Sequence, residues 1–334
     1  MIKQRLVILI GFSLFVLACR ISIDAFDTPP LATPIPNLPA SATPLLVQPT
    51  PTPVVILPTD AATPTVVNVP PLTVEQLKNG RFELPGADGA LHTVQFQSGL
   101  YQKGTDPSEP GYVAVVMTDS IAFGDLDGDG SSDAAAVIVE NYGGTGQFVS
   151  VVAFRNQGGV PVYAASYFVD DRAILNAFAI YNGEIYLDAT IHGIEDPGCC
   201  PTMPTRQVLR LWQGALVLAS FSSQTPTGAE RIINIEAPAN DVQVEKIFTL
   251  RGSVSIAPFE NNLVYKVYIP GNSEPLTSGP LMVNAPDLGA PGTFELPLNF
   301  SASGYSGPVR ITLSDLSAAD GSLMALDTLF VVVK

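Results

Sequence analysis

The sequence predicts a mainly all-β protein, in which a β-meander domain with a short N-terminal helix is followed by a β-sandwich domain. Apolar residues make up 46% of the chain, yet few of them recur at the helical spacing of about 3.6 residues. The 28 glycines and 30 prolines fall between short β-branched runs, as is typical of strands joined by turns. A chain of 334 residues accommodates about two such domains and additional segments.

Residues 1–18 predict a secretory signal peptide. Lys3 and Arg5 precede an unbroken run of 13 apolar or small residues, from Leu6 to Ala18. A helix that spans the hydrocarbon core of a membrane needs about 20 residues, so this run is too short for a stable span. A charged start followed by a short apolar run is instead the pattern of a leader that directs export.

The leader ends in Val16-Leu17-Ala18-Cys19. This run resembles the lipobox of bacterial lipoproteins, which implies that Cys19 becomes the lipidated first residue and holds the protein to the cell membrane on its extracytoplasmic side. The alternative is an ordinary cleaved signal with a chance cysteine, and the charged start combined with the short apolar run favours lipidation. Several acyl chains anchor a protein durably, because each buried CH₂ contributes about 0.8 kcal/mol.

Residues 19–71 form a Pro/Thr-rich linker, exemplified by residues 49–53 with the sequence Pro-Thr-Pro-Thr-Pro. Proline fixes φ and removes the N–H donor, so neither a helix nor a sheet is expected there. Such a segment extends by about 3.1 Å per residue where it is polyproline II, which suits a spacer that lifts the folded part off the membrane. A ligand for a proline-recognising partner is the alternative.

Residues 72–220 predict the first folded domain. Thr73 and Gln76 have the spacing of a capping box for a short helix that ends near residues 79–80. Asn182-Gly183 favours the type I′ turn of a hairpin, and Gln213-Gly214 predicts another. The runs expected to be the eight strands of a meander are Val113–Met117, Ala134–Val139, Phe148–Phe154, Val160–Phe168, Ala173–Tyr181, Glu184–Ile191, Val208–Trp212 and Ala215–Leu218.

A calcium site is predicted between the first two of these strands. Carboxylates stand at loop positions one, three, five and nine, with Gly130 at position six, and this spacing wraps oxygen ligands around Ca²⁺. The predicted ligands are four side chains and one backbone carbonyl, those of Asp125, Asp127, Asp129 and Asp133, and of Ser131. An acidic turn without metal is the alternative. Mutual repulsion of four nearby carboxylates favours Ca²⁺ in a structural role.

The loop is not an EF-hand, since position twelve is Ala136 and not the bidentate Glu. It resembles the calcium loop of FG-GAP and related β-hairpin repeats, but a single copy argues against a propeller of several blades. The domain also resembles uncharacterised bacterial envelope proteins, for which no activity is implied. Residues that carry this resemblance are 125–130, 133–135, 143–148, 171–172 and 196–202.

Cys199 and Cys200 are the other two cysteines of the chain. In an exported protein, adjacent cysteines in a turn favour a vicinal disulfide, with free thiols or intermolecular bridges as alternatives. His192 lies close in sequence, so a Cys–His catalytic pair is an alternative hypothesis. Adjacent cysteines hold a tetrahedral Zn²⁺ poorly, which disfavours a zinc site. Asp170 and Asp171 precede Arg172, where a local ion pair is expected.

Residues 231–334 predict a second folded domain after a short linker at residues 221–230. Seven short alternating strands in about 100 residues indicate an Ig-like β-sandwich. Leu263, Tyr265, Val267 and Ile269 are expected to share one face of a strand. The expected strands are Ile232–Glu236, Phe248–Ile256, Leu263–Ile269, Ser278–Val283, Thr293–Phe300, Val309–Asp315 and Leu326–Val333.

This domain resembles the immunoglobulin-like domain of bacterial spore germination. The resemblance rests on residues 235–238, 250–254, 258–263, 292–294 and 320–322 and covers essentially the whole domain. It implies an extracytoplasmic interaction module that is often attached to other envelope domains.

The charge of the chain limits its partners. With 16 basic and 31 acidic residues the net charge is -15, which argues against a nucleic-acid partner. The sequence therefore predicts a non-enzymatic, lipid-anchored envelope protein that binds an envelope protein or a wall polymer, with no catalytic residues. The alternatives are an envelope enzyme, or an inhibitor of a secreted hydrolase, that uses the region of His192 and Cys199.

Overall fold

The structure, a computed structural model, describes residues 69–86 and 89–334. In this part of the chain the fold is nearly all β, with antiparallel sheets and one short α-helix near residue 74, which confirms the predicted class. None of its helices has the length and apolar character needed to cross a membrane. The predicted signal peptide, Cys19 and the predicted linker up to residue 68 lie outside the described residues.

The helix α1 (Val74–Lys78) begins at the predicted capping box. The hydroxyl of Thr73 accepts the backbone N–H of Gln76, and the Gln76 side-chain oxygen accepts the N–H of Thr73 at 2.9 Å. The Gln76 side-chain amide also donates to the carbonyl of Gly159 at 2.7 Å. One side chain therefore closes the cap and ties α1 to a distant turn.

Replacing this side chain tests the double role. We expect Gln76→Ala to lower the free energy of unfolding by about 1–2 kcal/mol, because a cap bond and a tertiary hydrogen bond are lost together. Urea unfolding followed by circular dichroism measures the change. The control Glu75→Ala removes a neighbouring side chain on the same helix and leaves both bonds intact, so an equal loss in both variants would contradict the assignment.

Eleven strands follow α1 in the first half of the described chain. All eight predicted strands are present, and several are longer than expected. Three further strands precede them. The first alternates between exposed and buried residues, but its run of only five residues was not predicted as a strand. The other two are short and mostly exposed, so they lack a clear period-two signal. The strands are β1 (Arg81–Pro85), β2 (Leu91–Gln95), β3 (Leu100–Lys103), β4 (Val113–Gly124), β5 (Asp133–Asn141), β6 (Phe148–Gln157), β7 (Val160–Asp171), β8 (Ile174–Tyr181), β9 (Glu184–Ile191), β10 (Met203–Trp212) and β11 (Ala215–Gln224).

Strands β3 to β7 form one antiparallel sheet that is covered on both faces. Alternate residues of β5 enter two different cores: Ala135 and Val137 pack with residues of β9 and β10, whereas Ala136 and Ile138 pack with α1 and the β1–β2 hairpin. This double covering explains why β5 is an unbroken apolar run and not an alternating one. Burial decreases over the last three residues of the strand.

Nine strands make up the second half. The seven predicted strands are confirmed with shifted ends, while the two shortest were not predicted because pairs or triplets of residues give no periodic signal. The strands are β12 (Glu230–Arg231), β13 (Ile233–Ala237), β14 (Val242–Val244), β15 (Ile247–Val254), β16 (Asn262–Tyr268), β17 (Thr277–Met282), β18 (Gly292–Asn299), β19 (Gly307–Leu316) and β20 (Leu323–Val333); a 3₁₀ turn at Phe259–Asn261 precedes β16.

The second half has a sandwich-like core between the sheet β13-β15-β18 and the strands β16, β17, β19 and β20. Leu263 and Val267 of β16 are fully buried there, and Tyr265 and Ile269 pack against the same core. The period-two pattern that was predicted for this strand is therefore confirmed.

One sheet runs through both halves. Its order is β17-β16-β19-β20-β11-β10-β9-β8, and the halves meet where β11 pairs with β20. The paired residues extend from Ser220 with Asp327 to Ser222 with Ala325. Because β11 continues to Gln224 and β12 begins at Glu230, residues 221–224 and residue 230 are strand, although the predicted linker covered residues 221–230. The described residues form one compact unit.

Candidate functional site

The loop between β4 and β5 is organised by its own aspartates. The Asp125 carboxylate accepts the backbone N–H groups of Gly128 at 2.7 Å and of Gly130 at 2.9 Å. Both glycines have positive φ, 78° and 86°, a conformation that side chains rarely adopt. The glycines thus allow the chain to fold back around Asp125, as the predicted sharp turn at Gly130 requires.

Asp133 is the first residue of β5 and the innermost aspartate of the loop. Only 1% of its surface is exposed. Its carboxylate accepts the N–H of Asn156 at 2.8 Å and the N–H of Leu126 at 3.0 Å. Burial raises the pKa of Asp133, and the negative charges of Asp127 and Asp129 raise it further. A cation beside this carboxylate would offset both effects.

Three of the five predicted ligands come together. One carboxylate oxygen from each of Asp125, Asp127 and Asp133 lies within 4.8 Å of the other two. Asp129 is not part of this group; its carboxylate accepts the N–H of Ser131 at 2.7 Å. Hard oxygen donors suit Ca²⁺, although three carboxylates do not by themselves distinguish it from other divalent cations.

A basic side chain lies beside this group. Nε of Arg155 is 3.0 Å from a carboxylate oxygen of Asp127, without hydrogen-bond geometry. Arg155 stands on β6, next to Asn156, whose side chain also contacts the loop through the carbonyl of Ser132 at 3.1 Å. The loop is therefore held against β6 by two consecutive residues.

A cleft of about 850 Å³ opens beside the carboxylate group, between the two halves. β20 pairs with β11 only from Ala325 to Asp327, and the following part of β20, at residues 330–332, lines the cleft. The residues at its wall and rim are Asp125, Leu126, Asp127, Gly128, Arg155, Asn182, Gly183, Glu184, Arg210, Leu211, Trp212, Gln213, Gly214, Asp241, Pro308, Phe330, Val331 and Val332. Asp125 and Asp127 thus belong to both the carboxylate group and the cleft.

Two aromatic rings and a guanidinium group lie next to one another in this cleft. The Trp212 ring centroid lies 6.2 Å from that of Phe330, and the Arg210 guanidinium carbon lies 4.6 Å from the Phe330 centroid. Arg210 also pairs with Asp241 at 2.7 Å. Arg310, which does not line the cleft, has its guanidinium carbon 5.8 Å from the Trp212 ring centroid. The cleft therefore offers an apolar ring face beside both hydrogen-bond donors and acceptors.

The turn that carries Cys199 and Cys200 lies elsewhere, beside the end of β7. The two cysteines form a disulfide with each other. Arg172 donates to the carbonyl of Gly198 and pairs with Asp171, while its other guanidinium nitrogen donates to the carbonyl of Thr145 at 2.6 Å. Arg172 therefore connects two loops in addition to the local ion pair that was expected.

His192 pairs with an acid from this same strand end. Its Nδ1 lies 2.8 Å from the Asp170 carboxylate, which also accepts the His192 backbone N–H at 2.6 Å. Nε2 is buried and has no hydrogen-bond partner among the described residues. With Cys199 in the disulfide, this histidine has no thiol at that residue to activate.

Comparison with known proteins provides no family for the chain. A scan against protein-family models finds no match, and a search of curated proteins finds no significant relative. The resemblances described from the sequence therefore stay predictions.

Sequence reasoning missed the cleft. Arg210 and Trp212 lie on β10, whereas Asp241 and Phe330 belong to the second half, which joins the first where β11 pairs with β20. The one available signal is that Trp212 is the single tryptophan of the chain, at the end of a strand that leads into the predicted Gln213-Gly214 turn.

Proposed function

We propose that the protein is a non-enzymatic binding or scaffolding protein of the cell envelope, anchored through lipid on Cys19, with one Ca²⁺ in the loop 125–133. The observation that carries the proposal is the shared position of Asp125 and Asp127, which belong to the carboxylate group and also line the cleft. A cation held by these side chains would stiffen one rim of the cleft as well as the β4–β5 hairpin.

The donors present fit such an ion. Asp125, Asp127 and Asp133 would contribute carboxylate oxygens, and the ion would compensate their mutual repulsion. In an extracytoplasmic setting, where calcium is abundant, sites of this kind bind with a Kd of about 10⁻⁴–10⁻³ M. The role is structural, because a loop fixed between two strands presents a constant surface to a ligand.

The cleft is the binding surface that we assign to this function. An indole face beside carboxylates, an amide and guanidinium groups suits a polyhydroxylated polymer, whose hydroxyls both donate and accept hydrogen bonds and whose ring faces are apolar. A wall polysaccharide has this chemistry. The acids of the cleft exceed its bases, which disfavours a polyanion.

The alternative, an enzyme or hydrolase inhibitor at His192 and Cys199, has one supporting observation, the His192–Asp170 pair. The disulfide between Cys199 and Cys200 removes the thiolate that a cysteine nucleophile requires. The contacts of His192 with Asp170 are better explained as links that hold the 192–202 turn to β7.

Trp212 makes the proposal testable, because the emission of the single tryptophan reports on the cleft. We expect titration of the full chain with soluble wall-polymer fragments, in millimolar Ca²⁺, to give a saturable change in fluorescence. Arg210→Ala should weaken binding about tenfold, since the Arg210–Asp241 pair and the contact with Phe330 are lost.

Arg206→Ala is the matched control. Arg206 lies on the same strand and pairs with Glu230 at 3.1 Å, but it does not line the cleft. Equal weakening by the two variants, or no saturable fluorescence change with the wild-type chain, would contradict the assignment of the cleft.

A further inference from the structure

A second concave site lies on the opposite side of the five-stranded sheet from the β8–β11 strands. It is a pocket of about 400 Å³ at the rim left uncovered beyond the β1–β2 hairpin. Residues of β5, β6 and β7 line it together with the end of β1. They are Pro85, Gly86, Glu140, Tyr142, Phe148, Ser150, Ser166 and Phe168.

Three aromatic rings stand in a row along this pocket. The ring centroids of Tyr142 and Phe148 are 6.0 Å apart, and those of Phe148 and Phe168 are 6.5 Å apart, with tilted planes in both pairs. Phe168 is 55% exposed, which is unusual for a phenylalanine on a strand whose neighbours enter two cores. The rings thus present π surface to the pocket and not only to one another.

A carboxylate stands at the end of this row. Glu140 pairs across the sheet with Phe148, and its carboxylate accepts the hydroxyl of Tyr142 at 2.9 Å. Within the described residues, no basic side chain lies within 4.0 Å of it, and none lines the pocket. Burial raises the pKa of Glu140, as expected for a carboxylate that lacks a cationic partner.

We infer that this pocket binds an organic ammonium group, with the cation over the rings of Phe148 and Phe168 and beside the carboxylate of Glu140. Aromatic faces carry negative potential and attract cations, most strongly where water is excluded. A quaternary ammonium suits such a site, because it needs no hydrogen-bond acceptors and binds through charge and apolar contact. The carboxylate then acquires the positive partner that none of the described residues provides.

Choline and its uncharged isostere 3,3-dimethyl-1-butanol test this inference, because the two differ by the positive charge and have almost the same shape. We expect isothermal titration calorimetry of the full chain to show choline binding at least about tenfold tighter than the isostere. Phe168→Leu should weaken choline binding about fivefold or more, and Glu140→Gln should do the same by removing the negative charge.

Phe259→Leu is the matched control. Phe259 is 65% exposed, like Phe168, and lies in the second half of the chain, away from the pocket. The variant should bind choline as the wild type does. Equal binding of choline and the isostere would overturn the inference and mark the pocket as merely apolar, and so would choline binding that survives Phe168→Leu and Glu140→Gln unchanged. Neither result tests ligand binding in the cleft, which is measured by the fluorescence of Trp212.

Discussion

Removal of Ca²⁺ with EGTA is expected to lower the melting temperature of the full chain by several degrees. At 10 mM Ca²⁺ and a Kd of about 10⁻⁴–10⁻³ M, binding to the folded state alone adds about 1–3 kcal/mol to the free energy of unfolding. Scanning calorimetry with and without EGTA measures the shift. Its physical cause is the relief of repulsion among Asp125, Asp127 and Asp133.

Asp133→Asn assigns the effect to the loop. We expect this variant to lose most of the calcium-dependent shift, because the innermost carboxylate of the group is gone. Its free energy of unfolding in Ca²⁺ should also be lower than that of the wild type by about 2–4 kcal/mol. The reason is that the Asn amide has one oxygen and cannot accept both the Leu126 and Asn156 N–H groups as the carboxylate does.

Asp320→Asn is the control for this experiment. Asp320 is exposed and accepts the N–H of Ser322 at 3.0 Å, so it shapes a turn as the loop aspartates do, but in the second half. Its calcium-dependent shift should equal that of the wild type. A wild-type chain with the same melting temperature in EGTA and in millimolar Ca²⁺ would contradict the proposed Ca²⁺ site.

Acidification from pH 8 to pH 5 is expected to stabilise the protein in EGTA. Burial raises the pKa of Asp327 to about 6 from its ordinary 3.8, and the charge of Glu184 adds to this effect. The folded state therefore holds the proton more tightly than the unfolded chain does, and stability increases as the pH falls through 6. Asp327 alone should contribute roughly 1–1.5 kcal/mol at pH 5.

Other buried or half-buried acids act in the same direction. Burial also raises the pKa values of Asp133, Glu140, Glu184 and Asp315. Protonation of each therefore removes part of the free-energy cost of burying a negative charge and stabilises the folded state. The exposed acids with lowered pKa values, such as Asp320, reduce the stability of the folded state only when the pH falls below their ordinary pKa of 3.8. The measured gain for the whole chain should therefore exceed the part due to Asp327.

Asp327→Asn isolates the largest of these effects. Asp327 accepts the N–H of Ile235 at 2.7 Å and pairs with Ser220 where the two halves meet. Urea unfolding at pH 8 and pH 5 should show a smaller gain on acidification in the variant than in the wild type. A wild type that loses stability over this pH range would contradict the assignment.

Local signals in the sequence were sufficient for much of the fold. Asn182-Gly183 and Gln213-Gly214 adopt positive φ at both positions, as the predicted hairpin turns require. Leu263 and Val267 are buried on the predicted face because strand periodicity is a property of neighbouring residues. The capping box at Thr73 is local in the same way.

The pairing of β11 with β20 had no such signal. It joins residues about one hundred positions apart, and nothing in either strand specifies the partner. The same limit applies to the site: the spacing of Asp125, Asp127 and Asp133 predicted their convergence, whereas the approach of Arg155 to Asp127 depends on how β6 pairs with β5. Residues that meet through sheet order cannot be found by spacing.

Mass spectrometry of the N-terminal peptide from protein recovered from bacterial membranes tests the proposed function most directly. We expect a chain in the membrane fraction that begins at Cys19 and carries acyl groups on that residue. A full-length protein in the cytosolic fraction, with residues 1–18 still attached and Cys19 unmodified, would contradict it.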